Sequence, residues 1–472
     1  MKNYFLIAFL ILFIESNAFA QNQDATKQRV DSIKDFREFM VLDSKYMDNV
    51  ALWAPFNADL KDFSEATYTA LKPLILEQNI PTLQKSIEEG KLTYEKLVLF
   101  YLYRIRKFDR ENKLSLNAVI SLNPNVVKEA RQKDKQPKPS SEFSVFGMPI
   151  LLKDNINASG MPTTAGAAAL QQNIAEDAFI VKQLKNKGAL ILGKANLSEW
   201  AYFFCGDCPS GYSAVGGQTL NPYGRRIFDT GGSSSGSGAA VAANFCVAAV
   251  GSETSGSILS PSSQNSVVGL KPTVGLLSRT GIIPISSTLD TPGPMSKNVI
   301  DNAIMLEAMT GFDKEDSASV ESESAMYGNL KNPSLKGKRF GAFKGLMEDS
   351  LYVEALSKLK NEGAEIIEIE PQQIDLPGFI RLLNLDMKND LPAYLQKHAN
   401  AAITLKSVDD VMEYNKKDSL KSAPYGQALF QGIVADKGSS EDLERIKDTL
   451  STNGKQFFEV PMKMHNLDGI LS

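Results

Sequence analysis

Between Asp229 and Thr273 the chain reads DTGGSSSGSGAAVAANFCVAAVGSETSGSILSPSSQNSVVGLKPT, and no other stretch limits the possible folds so tightly. Glycine permits backbone conformations and close approaches that other residues forbid, and serine supplies hydroxyls and caps. The two Gly/Ser knots bracket an apolar run. Its spacing predicts a helix over Gly236 to Ala243 and a short buried strand over Cys246 to Val250. A helix start and a loop after a strand both leave backbone N–H groups unpaired, ready to meet negative charge. Flexible Gly/Ser linkers do not enclose an Ala/Val helix and strand, so this is a built site and not a tether.

A chain of 472 residues, 43% hydrophobic and 22% charged, fits a globular protein of one large or two ordinary domains. Its formal charge of −4 gives no reason to expect nucleic acid or an anionic membrane as partner. Met1 to Ala20 holds one lysine, an apolar run from Tyr4 to Ile14 and Ala18-Phe19-Ala20, the pattern of a secretory signal. The run is too short for a membrane anchor, so a periplasmic or secreted protein beginning near Gln21 is expected. Residues 21–75 are charged and aromatic at helical spacing and carry no chemistry; they read as a helical extension ahead of a main domain over 76–472. Cys205 and Cys208 have redox-motif spacing, and an oxidising compartment would permit a disulfide between them. No thioredoxin-like pattern surrounds them, so the preferred reading is two incidental thiols, with Cys246 in the core.

The rest alternates between helix and strand, an α/β pattern. A helix beginning near Thr93 places Leu97, Phe100, Tyr101, Ile105 and Phe108 on one face, which is core packing. Further helices are expected over Asp177 to Lys187, Ser198 to Phe203 and Leu351 to Glu362, with strands over Ala189 to Leu192, Leu335 to Ala342 and Ala364 to Ile369. Helical stretches from Leu376 to about His465 would cover the site. Phe146 to Asp154 reads as a strand that ends on Lys153. A buried ammonium costs several kcal/mol unless it is paired or gives up its proton. Composition leaves open whether Lys153 pairs with Asp154, lies on an exposed strand end or is neutral.

Three familiar loops fail on inspection. Gly188 to Lys194 mimics a GxxxxGK phosphate loop, but its middle is strand-like and Ala195 stands where a metal-binding hydroxyl is required. Gly236-x-Gly238 lacks the third small residue of a dinucleotide loop, where Val241 stands, and has no strand before it. Gly232-Ser-Ser-Ser-Gly236 fits the GxSxG elbow, whose chemistry needs a histidine base. Only His398 and His465 exist, neither in a catalytic setting. A serine hydrolase so poor in histidine must find another base, and lysine is the candidate.

Gly147-Met-Pro-Ile-Leu-Leu-Lys-Asp-Asn155, Gly193-Lys-Ala-Asn-Leu-Ser-Glu-Trp200, Gly217-Gln-Thr-Leu-Asn-Pro222, the Asp229–Thr273 block and Asp290-Thr-Pro-Gly-Pro294 occur in the order seen in the amidase signature family. The resemblance runs from about Ile80 to Gly311, and Asp386 to Tyr394 with Ala423 to Gln427 look like its peptide-amidase branch. It implies a three-layer α/β/α sandwich with a mixed central sheet, and hydrolysis of a carboxylic amide in a small molecule or peptide without metal or cofactor. Members continue past a segment like Leu467-Asp-Gly-Ile-Leu-Ser472 into further strands, so a domain lacking its C-terminal strands is expected.

Residue by residue, the resemblance makes Lys153 the base, Ser257 the acyl-forming nucleophile and Ser233, after a cis peptide, the bridge between them. Ser234 becomes an orienting neighbour. Backbone N–H groups of Thr254, Ser255, Gly256 and Ser257 would hold the oxyanion, each such donor typically worth about 3 kcal/mol. Ser255 replaces a glycine common in the family and narrows that space. A lysine near pKa 10.4 must fall by roughly 3 units to act near neutrality, which burial can supply. It then takes the Ser233 proton as Ser233 takes that of Ser257, and returns a proton to the leaving nitrogen. The runner-up readings are the glutaminase subunit of a tRNA-dependent amidotransferase and a catalytically inactive binding protein.

Overall fold

The computed structural model describes residues 39–110, 113–321, 333–370 and 372–472. The segment read as a secretory signal, and residues 21–38 of the helical extension, lie outside the described residues. The chain divides into two compact units, one of Met1–Met326 with Met387–Ala435 and one of Tyr327–Asp386 with Asp436–Ser472.

The larger unit is built on β1 (Val119–Leu122), β2 (Pro149–Lys153), β3 (Leu190–Ala195), a small hairpin of β4 (Tyr212–Ser213) and β5 (Gly217–Gln218), β6 (Ala248–Glu253), β7 (Val268–Gly269) and β8 (Thr291–Ser296). Six of these form a mixed sheet in the order β1-β3-β2-β6-β8-β7, flanked by helices. β3, β2 and β6 run parallel, while β1, β8 and β7 pair antiparallel to their neighbours. Every residue of β2, β3 and β6 is buried, which is why they read as continuous apolar runs. Because β2 and β6 are parallel, Lys153 and Glu253 leave the sheet at the same end. Ligand sites of open α/β sheets form at such carboxyl ends.

Helices settle where the pattern placed them. Tyr94–Ile105 is capped by the Thr93 side chain and buries Leu97, Phe100, Tyr101 and Ile105. Phe108 is only half-buried, because the chain widens into a π-turn at Arg106–Arg110, which rotates it off that face. That turn buries Asp109, whose carboxylate accepts from the amides of Ala118 and Val119 at 2.8 and 3.0 Å. The helix Ser235–Ala242 is buried at all positions and packs on β6. Gly236 makes this possible, since a Cβ there would lie 2.4 Å from the Asn196 carbonyl and 2.5 Å from that of Ala118. Among the described residues no helix is long and apolar enough to cross a membrane.

Two expectations are corrected. Ser198 to Phe203 is not a helix but a 3₁₀ turn, Glu199–Tyr202, with Trp200 and Ala201 at φ of 52° and 55°. Distant partners override the helical pattern: Trp200 N–H donates to the Ala165 carbonyl at 2.9 Å, and the Glu199 carboxylate accepts from Ala214 N–H at 2.7 Å. Cys205 and Cys208 are not incidental thiols but are joined as a disulfide, the loop bringing their Cα atoms to 5.9 Å, within bridging range. Cys246 is free and buried, and burial pushes its thiol up to about 12.

The smaller unit holds a parallel three-stranded sheet of β9 (Arg339–Phe343), β10 (Glu365–Ile369) and β11 (Gly469–Leu471), with β9 in the centre. The helix Ser350–Asn361 connects β9 to β10. The helical stretch expected after Leu376 is present as Phe379–Lys397, Val408–Lys416, Ser419–Ser422, Ala428–Ala435 and Ser440–His465.

Candidate active site

Lys153, the last residue of β2, is wholly buried. Its Nζ donates to Ser233 Oγ at 2.7 Å and to the Ser252 carbonyl at 2.9 Å. No carboxylate pairs with it among the described residues. Asp154, the neighbour that could have done so, faces elsewhere: it accepts from Lys194 Nζ at 3.0 Å, from Thr164 N–H at 3.1 Å and from the Thr164 hydroxyl. Burial therefore brings the Lys153 amine down to about 7, with the negative charges of Asp290 and Glu253 pulling weakly the other way. An amine of that kind is half neutral near physiological pH and can accept a proton.

Ser233 follows the cis Gly232–Ser233 peptide and is fully buried. Its carbonyl accepts from Ser198 N–H at 3.0 Å, which ties it to the turn after β3. The Ser234 hydroxyl lies between strand and turn. It donates to the Ser252 carbonyl at 3.1 Å and accepts from Ser252 N–H at 3.2 Å. Ser234 N–H donates to the Ser257 carbonyl at 3.1 Å, so backbone contact joins the two serine segments.

Ser257 sits on the turn that leaves β6. Its hydroxyl makes no hydrogen bond among the described residues, and none links it to Ser233 Oγ; Lys153 and Ser233 are brought into direct contact, while Ser257 joins them through the backbone. The turn is held from inside by Glu253. One carboxylate oxygen accepts from Gly256 N–H at 2.8 Å, and the other from the amides of Ile258 and Leu259 at 2.7 and 3.0 Å. Gly256 stands at φ 82°, a conformation glycine reaches without steric cost. Of the four amides expected to face an oxyanion, that of Gly256 is thus engaged by Glu253. Those of Thr254, Ser255 and Ser257 have no acceptor among the described residues.

A cavity of about 370 Å³ opens beside this cluster, reached through Asn155, Ser252, Thr254, Ile283, Asp290 and Tyr394. Lys153, Ser233 and Ser257 are not among the residues that line it. Thr254 Oγ1 donates to Asp290 Oδ1 at 2.5 Å, and Asp290 also accepts from the amides of Ile285 and Ser286. Burial pushes its carboxyl up. His398 is on the cavity wall, its imidazole lowered by burial, and neither histidine bonds to a serine of the cluster. Among the described residues, no group of three His, Cys, Asp or Glu side chains is placed to hold a metal.

Sequence reasoning missed Lys194 and the inward role of Glu253. The signal for Lys194 was present: a second apolar strand with a lysine one residue before its end, one strand away from Asp154, is a buried-pair pattern. For Glu253 no local signal exists, since its partners are three amides of the turn it precedes.

Comparison with known proteins follows the same lines. The sequence profile described as Amidase matches residues 96–459. A probable amidase of Arabidopsis thaliana is 37% identical, the match covering 84% of this chain and 80% of the relative. The crystal structure of an amidase family protein from Bacillus anthracis superposes with a TM-score of 0.84 at 36% identity, over 91% of this chain and 87% of its own. That of the peptide amidase from Stenotrophomonas maltophilia gives 0.78 at 39% identity, over 84% and 83%.

Proposed function

Because the chain belongs to the amidase signature family and is an amide-hydrolysing enzyme, we propose that it cleaves a carboxylic amide, a peptide C-terminal amide foremost, through Lys153, Ser233 and Ser257. The observation that carries this reading is the buried, unpaired Lys153 Nζ at 2.7 Å from Ser233 Oγ. Neutral Lys153 takes the Ser233 proton, Ser233 takes that of Ser257, and Ser257 Oγ adds to the amide carbonyl to give, after loss of ammonia or amine, an ester on Ser257. The proton on Lys153 returns through Ser233 to the leaving nitrogen, and water then cleaves the ester. The amides of Thr254, Ser255 and Ser257 are the donors for the oxyanion, with Gly256 reserved for the turn.

A fluorophosphonate tests this assignment, since it should add its phosphonyl group to Ser257 and to no other serine. Mass spectrometry showing no adduct at Ser257, or equal labelling of the Ser257→Ala variant, would overturn it. The same reading places the enzyme outside the cytoplasm. The signal-like Met1 to Ala20 and a Cys205–Cys208 disulfide support export, since disulfides persist in oxidising compartments. Amino-terminal sequencing of the protein recovered from its native host should start near Gln21. Residues 21–75 then form a helical extension to an amidase domain over 76–472.

A further inference from the structure

We propose that the cavity beside Ser252 and Thr254 selects amides that carry a positive charge, an ammonium or guanidinium, on the part of the substrate retained as the acid. This deepens the amide-hydrolase reading and rests on it. The cavity wall holds four carboxylates, Asp290, Glu315, Asp316 and Asp390, against the two cations Arg279 and Lys397.

Both cations are already committed. Arg279 Nε lies 2.9 Å from Asp316 Oδ2 and one of its terminal nitrogens 2.5 Å from Asp316 Oδ1, and Lys397 Nζ is 3.1 Å from Glu315. The wall therefore keeps a balance of two negative charges inside a concave space, where low-dielectric walls concentrate the field. His398 adds no compensating charge near neutrality, because burial lowers its imidazole.

A second observation points to a ligand. Asn155 lines the same cavity and is 2% exposed. Its Nδ2 donates to Ser252 Oγ at 2.8 Å, but its Oδ1 is buried with no hydrogen-bond partner among the described residues. An unmet buried acceptor is costly, and this one belongs to a residue of the cavity wall. An acceptor of hydrogen bonds together with an excess of carboxylates is suited to an organic cation rich in N–H groups. A carboxylate-bearing amide would meet repulsion from that excess.

A neighbouring hollow shares Glu315, Lys397 and His398 with this cavity and adds Glu176, Asp177 and Asp313 against Lys182. Asp177 is already paired with Lys185 at 2.8 Å, so this hollow adds a smaller excess of the same sign.

The test compares three N-acetylated amides, those of lysine, of norleucine and the α-amide of glutamic acid. Lysine and norleucine differ little except in the ammonium. The proposal expects kcat/KM for the lysine amide to exceed that for the norleucine amide by about tenfold or more, the glutamic acid amide to be slowest, and the first ratio to shrink as salt is raised. In Asp390→Asn, and separately in Glu315→Gln, that ratio should fall several-fold towards one. Hydrolysis of lysine and norleucine amides at equal rates, or a preference for the acidic amide, overturns the inference and leaves the amidase reading standing. No hydrolysis of any amide together with no fluorophosphonate adduct at Ser257 overturns both.

Discussion

Two lysines stand near the carboxyl ends of adjacent parallel strands, and they solve the same problem in opposite ways. Lys153 on β2 and Lys194 on β3 are both wholly buried, one residue apart in register, with Leu152 facing Lys194 across the ladder. Lys194 keeps a carboxylate, Asp154, at 3.0 Å, and Thr163 Oγ1 at 2.9 Å completes its shell. Lys153 has only a hydroxyl and a carbonyl. For Lys194 burial lowers the amine and Asp154 opposes the fall. For Lys153 no carboxylate in contact opposes it, and the amine drops from 10.5 to about 7, a shift against the charged form of about 5 kcal/mol relative to water. Burial alone therefore does not make a base; what matters is which lysine the one adjacent carboxylate serves. By holding Asp154, Lys194 keeps that carboxylate away from Lys153.

The widest separation between the two should be in turnover. Lys153→Met is expected to lower kcat about 10⁴-fold, as is Ser257→Ala, with neither variant melting below wild type. Ammonia release in a coupled assay reads the effect, and residual activity within tenfold of wild type in Lys153→Met would remove lysine from the mechanism. Stability should reverse the ranking. Lys194→Met strands Asp154 as an unpaired buried charge and is expected to cost about 3–5 kcal/mol by urea denaturation. Lys153→Met removes no ion pair and relieves the cost of burying the amine, so near pH 7 it should raise stability, by up to about 4 kcal/mol less the two hydrogen bonds it loses. Equal losses in both variants would mean the two lysines are electrostatically alike.

Stability as a function of pH separates them further. The folded state releases the Lys153 proton above about pH 7, whereas the unfolded chain keeps it to about 10.5. The unfolded state thus binds more protons in that window, and stability rises with pH through it, by up to about 1.4 kcal/mol per unit. Below pH 7 both states are protonated and the full cost of burying the charge is present. The difference in unfolding free energy between wild type and Lys153→Met should show this slope from pH 7.5 to 9.5. A flat difference would show that the amine is charged in the fold.

Much of this arrangement was legible in the residues, and the boundary of legibility has a physical cause. The strand ending on Lys153, the helix Ser235–Ala242 and the strand β6 follow from local pattern, because buried parallel strands and small-residue helices impose composition on themselves. The turn at Glu199–Tyr202 did not follow. Its left-handed residues are held by Ala165 and Ala214, far away in the chain, and local propensity yields to such partners. The service of Asp154 to Lys194 and not to its chain neighbour Lys153 was hidden for a related reason. Successive side chains of an extended strand point to opposite faces, so adjacency in sequence argues against contact. The use of the Gly256 amide by Glu253 is likewise a matter of three-dimensional closure, although the two lie only three residues apart.

The smallest expected effect concerns the carboxylates that act on Lys153 from a distance. Asp290 makes no hydrogen bond to Lys153 or Ser233 among the described residues, yet its charge raises the Lys153 amine, more than Glu253 does. Asp290→Asn keeps an acceptor for Thr254 or for the amides of Ile285 and Ser286 while it deletes that charge. If Lys153 acts as the base, kcat/KM falls as pH drops through about 7, and in Asp290→Asn this limb should move to lower pH by a few tenths of a unit. The corresponding contact at Lys194 is a direct ion pair, where loss of the carboxylate is structural and not a tuning of pKa. A limb that moves upward, or one that stays in place while overall activity drops, would assign Asp290 to holding the Thr254 turn and leave the Lys153 amine governed by burial alone.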